Sequence, residues 1–538
     1  MLRYQGRTIS GGSVIGPIMT IKNTEESVTK IRVRDRGKEL KRLHSAAEAV
    51  REELRQLQER AEKTGGSESA SVFAAHELLL EDPVFLEAIR SKIRSESVNA
   101  EYAVYSVGEK FAKMLTAAED EYMSVRAADV RDVAQQLSDR LRGTMEGASF
   151  PESRAIVAAE ELSPSQLVRL NRNNVRGLVL GRGSENSHCA ILARVMNIPA
   201  IAGIGSELKE LQDGITAVID GKNGELIIDP DEDELLKIRL DIWEQESELK
   251  QLRKLIGKET RTAAGQRVRL YANVSSPEDV GIARENDAEG IGLFRSEFLY
   301  LGENHLPGEE EQFRAYKRLL QAADGKEVII RTMDIGAEKK PDYLELQKEA
   351  NPALGVRGIR ASLLQPEILR VQLRALLRAA ACGSLKIMYP MITSGQEVIR
   401  VQKLVQKCAD ELEAEGKPHR IPPQGIMIET PAAVLISDDL SGLVDFVSIG
   451  TNDLTQYTLA IDRQNDRLGA WYDPHHKAIL RMIAMVVKNA HEKGIQASIC
   501  GELAGDLSLT DEFVRMGIDE LSVAPAQILK LRQKIMEL

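Results

Sequence analysis

Cysteine is scarce in this chain of 538 residues, which has four, at Cys189, Cys382, Cys408 and Cys500. They are widely scattered, and none belongs to a CxxC pair or to a Cys/His cluster with the spacing of a zinc site. This scarcity disfavours a disulfide scaffold and a structural zinc site. Reduced thiols in a cytoplasmic protein fit the pattern better.

Long apolar runs are also missing. No segment approaches the roughly 18 uncharged apolar residues that a membrane-spanning helix needs. The N-terminal stretch, MLRYQGRTISGGSVIGPIMTI, is interrupted by Gly, Ser and Arg before any apolar run reaches the length of a signal peptide. The sequence therefore predicts no membrane span, and we expect a cytoplasmic location.

An excess of positive charge is lacking as well, because 71 Lys and Arg face 82 Asp and Glu, for a formal net charge of -11. An acidic surface repels phosphate backbones, which disfavours broad binding to nucleic acids or anionic membranes. Aromatic residues make up only 4% of the chain, yet hydrophobic residues reach 43%, which is enough for real cores. At about 150 residues per domain, the length predicts three or four domains.

The sequence changes character after a short β segment at residues 1–22. From residue 23 to residue 144 helical periodicity dominates, and one apolar stripe alternates spacings of three and four at Leu40, Leu43, Ala47, Val50, Leu54 and Leu57. Asp82-Pro83 marks a break between helices, and Gly143 stands at a C-cap position. We predict an all-helical domain inserted after the β segment.

Short strands and helices alternate over residues 145–229, which we assign with residues 1–22 to one α/β domain. Residues 230–262 then carry a charged helix, with acidic residues at its start and lysines at its end, as the helix dipole favours. We interpret this helix as a linker between domains.

Strands and helices alternate from residue 263 to residue 538. The apolar strands are VRLYANV, GIGLF, VIIRT, LKIMYP, GIMIE, FVSIG, QASIC and ELSVA. Repeated alternation of this kind favours a (β/α)8 barrel over an open sheet.

Polar side chains follow most of these strands, at Asn273, Arg295, Arg331, Glu429, Asn452 with Asp453, and Cys500. A single polar strand end often just meets solvent, but six would converge at one barrel mouth, where barrel enzymes keep their chemistry. Glu429 and Asp453 suit Mg²⁺, which prefers one or two carboxylates together with phosphate oxygens. The arginines, with Arg463, suit phosphate and carboxylate groups. The pattern predicts a site for a small anionic substrate that carries phosphate.

A second candidate lies in the segment GRGSENSHCAILARVMNIPA, where a polar turn at residues 183–187 precedes a helix. His188 stands at the start of that helix, and backbone N–H groups there can receive an anion. Taken alone, His188 is typical of a capping or turn histidine. Together with a phosphate site on another domain, it indicates a phosphoryl shuttle.

The chain resembles enzyme I of the bacterial phosphoenolpyruvate-dependent sugar phosphotransferase system over essentially its whole length. The segments that carry the resemblance are SHCAILARVMNIPAIAG, GIGLFRSEFLYL, RTMDIG, NPALGVRGIR, MYPMI, GIMIETPAA, FVSIGTNDLTQYTLAIDR and ICGELAGD. Related motifs occur in pyruvate phosphate dikinase and phosphoenolpyruvate synthase. Those enzymes need an ATP-binding domain, for which this sequence has neither room nor a glycine-rich nucleotide motif.

The resemblance implies a multidomain α/β fold: a swivelling phosphohistidine domain with an inserted all-helical domain, a helical linker and a C-terminal (β/α)8 TIM barrel. It implies that His188 attacks the phosphorus of phosphoenolpyruvate and that Cys500 protonates the enolate to give pyruvate. Substrate binding falls to Arg295, Arg331, Asn452, Asp453 and Arg463, and Mg²⁺ binding to Glu429 and Asp453.

The resemblance also implies partners. The helical insert at residues 23–144 corresponds to the docking surface for HPr, the small phosphocarrier that takes the phosphoryl group from His188. The barrel implies a homodimer. Because His188 and the barrel lie on different domains, we expect the linker at residues 230–262 to act as a hinge.

Four departures from the family pattern stand out. Glu185 and Asn186 alter the loop before His188, Ala337 replaces a glycine, the segment from Asn351 to Arg357 lacks its usual aromatic residues, and the chain ends at Leu538, before one or two helices of the family. We expect the first to affect rate and the last to alter barrel closure or dimer stability. The alternative function is a non-catalytic relative that acts as a regulator or scaffold.

Overall fold

The computed structural model describes residues 1–21, 28–116, 121–143, 154–170, 174–182, 188–196, 198–277, 279–301, 305–336, 343–344, 349–463, 465, 468 and 471–538. They form two compact units, Met1–Glu246 and Ser247–Leu538. Each unit has its own buried apolar clusters.

The first unit contains an eight-stranded sheet of order β1-β8-β7-β3-β4-β5-β6-β2. Its strands are β1 Leu2–Gln5, β2 Arg7–Ser10, β3 Ser13–Ile21, β4 Ala155–Ala159, β5 Val175–Leu180, β6 Ala200–Ala202, β7 Thr216–Asp220 and β8 Glu225–Ile228. β3 connects the two halves of the sheet, because it pairs with β4 in parallel and with β7 antiparallel. The start of the sequence and the stretch after the helical insert therefore share one α/β body.

Apolar side chains cover both faces of this sheet. Helices α5 (Pro164–Arg169) and α6 (His188–Val195) belong to the cluster on one face, through side chains such as Leu167 and Ala190. Ser163 caps α5 by accepting a hydrogen bond from the Gln166 N–H. Packing of α6 residues such as Ala190 in this cluster holds the beginning of α6 against the sheet.

Four helices form the helical part: α1 Arg36–Glu81, α2 Pro83–Glu96, α3 Ala100–Thr116 and α4 Glu121–Arg142. The apolar stripe seen in the sequence is buried from Leu43 to Leu57 and packs in a shared core. The predicted helix break at Asp82 is confirmed, since its carboxylate accepts from the Val84 N–H at 2.7 Å and Pro83 opens α2. Gly143 follows α4 with φ +72°, the left-handed conformation that glycine adopts easily.

The charged helix that the sequence predicts is α7, Glu232–Arg253. Its first turn carries Glu232, Asp233 and Glu234, and its last turn carries Lys250 and Arg253. Among the described residues, no helix combines the length and the apolar character needed to cross a membrane.

The second unit is built on a closed barrel of eight parallel strands. They are β9 Arg269–Val274, β10 Gly290–Arg295, β11 Val328–Arg331, β12 Leu385–Tyr389, β13 Gln424–Ile428, β14 Phe446–Ile449, β15 Gln496–Ile499 and β16 Glu520–Val523. These correspond to the eight predicted strands, so the (β/α)8 barrel is confirmed.

The helices of this unit are α8 Asp279–Glu285, α9 Phe298–Leu301, α10 Glu309–Ala322, α11 Ile359–Leu364, α12 Pro366–Ala380, α13 Gly395–Ala414, α14 Pro431–Leu435, α15 Ser437–Leu440, α16 Thr451–Leu459, α17 Lys477–Glu492, α18 Thr510–Met516 and α19 Ile528–Met536.

The barrel closes where β16 pairs with β9. β16 pairs with β9 over four residues, from Glu520 with Arg269 to Val523 with Ala272. The last helix, α19, is anchored by Arg532, which is fully buried and forms an ion pair with Asp287. Arg532 also donates to the carbonyl of Leu255 at 3.0 Å. A buried arginine with several acceptors anchors α19 to the segments that precede β9 and β10.

A carboxylic acid lies inside the barrel near the start of its strands. Glu520, the first residue of β16, is 3% exposed, and its Oε2 lies 3.7 Å from Nη2 of Arg269. Burial raises the pKa of Glu520 to about 7, and Arg269 offsets only part of this effect. The folded barrel therefore favours the neutral form of this acid.

This burial makes stability depend on pH. Between the ordinary pKa near 4.5 and the folded value of about 7, the folded protein binds more protons at Glu520 than the unfolded chain does. Stability is then full below the unfolded pKa and falls as pH rises through the folded pKa, by about 3 kcal/mol in all. We expect Glu520→Gln to flatten this pH slope and to stabilise the barrel at pH 8, as urea denaturation at a series of pH values would show.

The matched control is Glu289→Gln, directly before β10 at the same end of the barrel, where Glu289 pairs with Arg267 at 3.1 Å and is not among the charges that shift the pKa of Glu520. This variant should keep the slope, because Glu520 is still present. An unchanged slope in Glu520→Gln would contradict the assignment.

Candidate active site

Six polar residues identified in the sequence lie at the carboxyl end of the barrel. Arg295 and Arg331 are the last residues of β10 and β11, while Glu429 and Cys500 directly follow β13 and β15. Asn452 and Asp453 lie in the first turn of α16, after β14. Parallel strands bring these positions to one mouth because all eight strands end there.

Arg331 is held between two carboxylates. Its Nη2 lies 3.1 Å from Oε1 of Glu297, and its Nη1 lies 3.4 Å from Oδ2 of Asp334. Oε1 of Glu297 also accepts from the Asp334 N–H at 2.8 Å. Burial opposes the charge of the Arg331 guanidinium, but these carboxylates outweigh it and raise its pKa. The guanidinium is therefore a permanent cation with a fixed orientation.

Arg357 links the two carboxylates at the centre of the site. Its Nη2 lies 2.9 Å from Oδ2 of Asp334 and 3.2 Å from Oδ2 of Asp453. It is 7% exposed, and a third contact joins its Nη1 to the hydroxyl of Tyr457 at 3.3 Å. Burial would raise the pKa of Asp334, but Arg331 and Arg357 reverse this and lower it.

Sequence reasoning missed Arg357, Asp334 and Glu297 as site residues. Arg357 and Asp334 lie within the segments NPALGVRGIR and RTMDIG, which served only to establish the resemblance. Their spacing along the chain gives no sign of the ion pairs, since Arg357 and Asp453 are 96 positions apart. The available signal was a carboxylate shortly after each of two strands, Glu297 two positions after Arg295 and Asp334 three positions after Arg331.

Glu429 is 1% exposed, and its Oε1 accepts a hydrogen bond from the Met391 N–H at 2.5 Å. Burial raises the pKa of Glu429 to about 8, and the charges of Asp453 and Asp334 add to this effect. Gly450 leaves room for this side chain, because a Cβ there would lie 2.9 Å from Oε2 of Glu429. The carboxyl group of Glu429 is therefore tightly enclosed, and the charge of Asp453 acts on it.

Two carboxylates at this position fit a divalent cation. Asp453 is 6% exposed, and its Oδ1 is a buried oxygen without a hydrogen-bond partner among the described residues. Nη2 of Arg463 lies 3.6 Å from this oxygen. A positive ion near Asp453 and Glu429 would remove the repulsion that raises the pKa of Glu429. In the described part of the chain no cluster of three or more His, Cys, Asp or Glu that could hold a metal ion is found. Two carboxylates are a donor set that suits Mg²⁺, because this ion keeps water or substrate oxygens as further ligands.

The amide of Asn452 is engaged with the loop that follows β15. Its Nδ2 donates to Oε1 of Glu502 at 3.0 Å, and its Oδ1 accepts from the Glu502 N–H at 2.9 Å. The hydroxyl of Tyr472 donates to the Asn452 carbonyl at 3.2 Å. A cavity of about 240 Å³ opens beside these residues and is lined also by Asp462, Arg463 and Asn465. In this structure the Asn452 side chain therefore ties two loops of the mouth together.

Cys500 is 4% exposed, and its thiol lies 3.7 Å from the carbonyl of Ile449. Burial raises the pKa of Cys500 to about 11, although the Ser448 hydroxyl favours the thiolate in part. The thiol is therefore protonated at neutral pH. Arg295, by contrast, has an exposed side chain at the same mouth.

The other candidate belongs to the first unit. His188 is the first residue of α6, as the sequence predicts, but its side chain and residues 183–187, with Glu185 and Asn186, lie outside the described residues. Ala337 in the barrel also lies outside them. The neighbouring Cys189 is buried, and its thiol donates to the Leu162 carbonyl at 2.8 Å. This contact fixes the first turn of α6 against the α/β body.

Comparison with known proteins gives three family-model matches along the chain. Residues 249–538 match the PEP-binding domain of the PEP-utilising enzymes, residues 151–224 their mobile domain and residues 5–126 their N-terminal domain. The chain is 40% identical to the phosphoenolpyruvate-protein phosphotransferase of Priestia megaterium over 99% of its own length and 94% of the relative. The corresponding protein of Bacillus subtilis is 39% identical over 100% of this chain and 95% of the relative.

The contacts of Arg357 lead to a prediction for barrel stability. Arg357→Leu would leave Asp334 and Asp453 buried without their shared cation, and we expect a loss of about 3 kcal/mol in the free energy of unfolding. The pKa of Asp334 should rise in the same variant, because one of the two cations that lower it is gone. Chemical denaturation of the whole chain, followed by fluorescence, measures the first effect.

Arg360→Leu is the matched control. Arg360 donates only to the carbonyls of Leu354 and Gly355 among the described residues, at 3.3 and 3.4 Å. Its loss should cost less than about 1 kcal/mol, as expected for a partly exposed group. If both variants lost the same free energy of unfolding, the ion pairs that Arg357 forms with Asp334 and Asp453 would not contribute to stability.

Proposed function

The chain belongs to the phosphoenolpyruvate-protein phosphotransferases of the PEP-utilising enzyme family, and from this membership we propose which of its residues perform each step. As a member, it takes the phosphoryl group of phosphoenolpyruvate and passes it to the sugar phosphotransferase system, releasing pyruvate. The alternative, a regulator or scaffold without turnover, is not favoured by relatives of this identity over the whole chain. The observation that carries the residue assignment is the meeting of Glu429, Asp453, Arg331 and Cys500 at one barrel mouth.

The arginines bind the substrate anion. Arg331 is oriented by Glu297 and Asp334, so it can present a preformed cation to the phosphate group. Arg295 reaches the open mouth, and Arg463 lines the adjacent cavity with Asn452. Positioning and charge neutralisation supply most of the rate of phosphoryl transfer, which explains why cations dominate the site.

Glu429 and Asp453 would hold Mg²⁺, which neutralises charge on the phosphate and the developing enolate when it is bound. Arg357 positions Asp453 for this task, since it contacts Oδ2 and leaves Oδ1 without a hydrogen bond. The Met391 N–H similarly holds one oxygen of Glu429. Each carboxylate thus has one oxygen fixed by the protein and the other available.

His188 accepts the phosphoryl group. It begins α6, whose first N–H groups can receive the added negative charge. A neutral imidazole can act as the nucleophile toward phosphorus. For transfer to occur, His188 has to reach the barrel mouth, so we assign the hinge to the linker that contains α7.

Cys500 protonates the enolate. A thiol with a pKa of about 11 holds its proton at neutral pH, as a general acid must. Its position directly after β15 places it at the same mouth as Glu429 and Arg331. When the enolate takes this proton, the product is pyruvate and the sulfur becomes a thiolate.

The phosphocarrier HPr is the proposed acceptor, and the helical part formed by α1 to α4 is its proposed docking surface. The net charge of -11 suits a basic partner of this kind. We place the protein in the cytoplasm, in keeping with four free cysteines, and expect a homodimer through the barrel. Sedimentation with and without Mg²⁺ and phosphoenolpyruvate would measure the oligomeric state.

The first test uses phosphoenolpyruvate and Mg²⁺ with the full chain. We expect pyruvate release and a mass increase of one phosphoryl group by intact-mass spectrometry, and EDTA should abolish both. His188→Ala should remove the mass increase, while the exposed His44→Ala should keep it. A phosphorylated His188→Ala variant would place the acceptor elsewhere, and wild-type protein that gives neither product would favour the scaffold.

The second test concerns the thiol. Cys500→Ala should slow pyruvate formation by about a hundredfold or more, the usual effect of removing a general acid. Cys408→Ala is the control, because Cys408 is equally buried but lies on α13, outside the barrel mouth. Rapid-quench measurement of pyruvate in the first turnover compares the two, and similar rates would remove Cys500 from the reaction.

A further inference from the structure

The proposed role of Cys500 leaves its thiolate in need of a new proton after each turnover. The side chain is 4% exposed and borders an apolar cluster of the barrel interior, with Leu293, Ile329 and Met388 among its members. Burial of this kind restricts the exchange of protons between the thiolate and bulk water. Polar groups of the barrel interior that reach the sulfur would offer a second route.

Such groups lie on three adjacent strands. In the barrel register Ser448 of β14 is opposite Ser498 of β15, and Ser498 is opposite Glu520 of β16. Cys500 follows two positions after Ser498, so both side chains point to the same side of the sheet. That side is the interior of the barrel, because Cys500 packs there in a cluster whose other members come from strands around the barrel. One of these members is Phe446, two positions before Ser448 on β14.

Gly292 independently places Glu520 in the interior. This glycine lies on β10, which β9 separates from β16. A Cβ at Gly292 would nonetheless lie 2.9 Å from Oε1 of Glu520 and would collide with Ser522. Residues on strands that are not neighbours can approach so closely only across the inside of the barrel, and the missing side chain at Gly292 leaves space beside the carboxyl group.

Two of these polar groups are incompletely satisfied. Glu520 is 3% exposed, and its Oε1 has no hydrogen-bond partner among the described residues, while the fully buried Ser448 hydroxyl has none there apart from the Cys500 thiol. Buried polar atoms are normally satisfied, and the Ser448 hydroxyl lies close enough to the Cys500 thiol to favour its thiolate. The register places Ser498 between Ser448 and Glu520, and its Oγ donates to the Val447 carbonyl at 3.4 Å.

The second carboxyl oxygen of Glu520 lies toward the end of the barrel at which the strands begin. Its Oε2 lies 3.7 Å from Arg269, whose Nη2 donates to the exposed Gln496 at 2.7 Å. Glu327 and Lys386 are the further charged groups that act on this carboxyl, together with Asp519. With a pKa of about 7, Glu520 can both hold and release a proton at neutral pH, which an ordinary glutamate cannot do.

We propose that Glu520 returns the proton to Cys500 after each turnover, by way of the hydroxyls of Ser498 and Ser448 inside the barrel. This inference rests on the proposed function of Cys500. The O–H bond of Glu520 breaks, each hydroxyl accepts one proton and passes on another, with water completing the contacts, and an S–H bond forms at Cys500. Glu520 regains its proton from water at the end of the barrel near Arg269 and Gln496, so no other reactant is consumed.

The route predicts a difference between the first turnover and the later ones. The resting thiol already carries its proton, so the first pyruvate should form at the wild-type rate in Glu520→Gln. Later turnovers should be at least fivefold slower, giving a burst of one pyruvate per chain followed by a slow phase. Rapid-quench assays with excess phosphocarrier, phosphoenolpyruvate and Mg²⁺ measure both phases, and Ser448→Ala should show the same burst.

Glu289→Gln is the control and should match wild type in both phases, because Glu289 lies at the same end of the barrel but is not among the charges that shift the pKa of Glu520. A purely structural role for Glu520 would slow the first turnover and the later ones alike, and this result would overturn the proposal, as would an unchanged steady rate in both Glu520→Gln and Ser448→Ala. Failure of the proposed function would look different from failure of this proton route, because wild-type protein would then form no pyruvate even in the first turnover.

Discussion

Arg357 places a single positive charge between Asp334 and Asp453, and the chemistry of the barrel mouth depends on that shared pairing. Without it, Asp334, Asp453 and Glu429 would bring three carboxylates together in a buried place, which electrostatic repulsion and desolvation oppose. With it, Asp334 stays ionised and orients Arg331, while Asp453 keeps one oxygen for a cation. Glu429 remains the least compensated of the three, as its raised pKa shows.

The barrel could be predicted from the sequence because its strands are short apolar runs between helices, and the strand ends could be predicted to meet because parallel strands in a barrel end together. Glu429 and Cys500 were found in this way. Arg357 was not, because the segment that carries it follows no strand and its partners come from distant parts of the chain. Buried ion pairs form between side chains that the fold brings together, and periodicity contains no trace of them.

The last helix shows the same limit. The buried guanidinium of Arg532 on α19 pairs with Asp287, which lies 245 positions earlier in the chain, and no local sequence pattern indicates this contact. Asn452 illustrates a further gap, since the sequence placed it at the mouth but gave no indication of its reciprocal hydrogen bonds with Glu502.

Met391 has a backbone φ of +59°, a conformation that costs a residue with a side chain about 1 kcal/mol or more. In that conformation its N–H points at Glu429, so the main chain rather than a neighbouring side chain sets the position of this carboxylate. A main-chain donor is supplied by every amino acid except proline. The geometry of Glu429 therefore depends on the backbone conformation at position 391, and a residue there has to adopt a positive φ to keep this hydrogen bond.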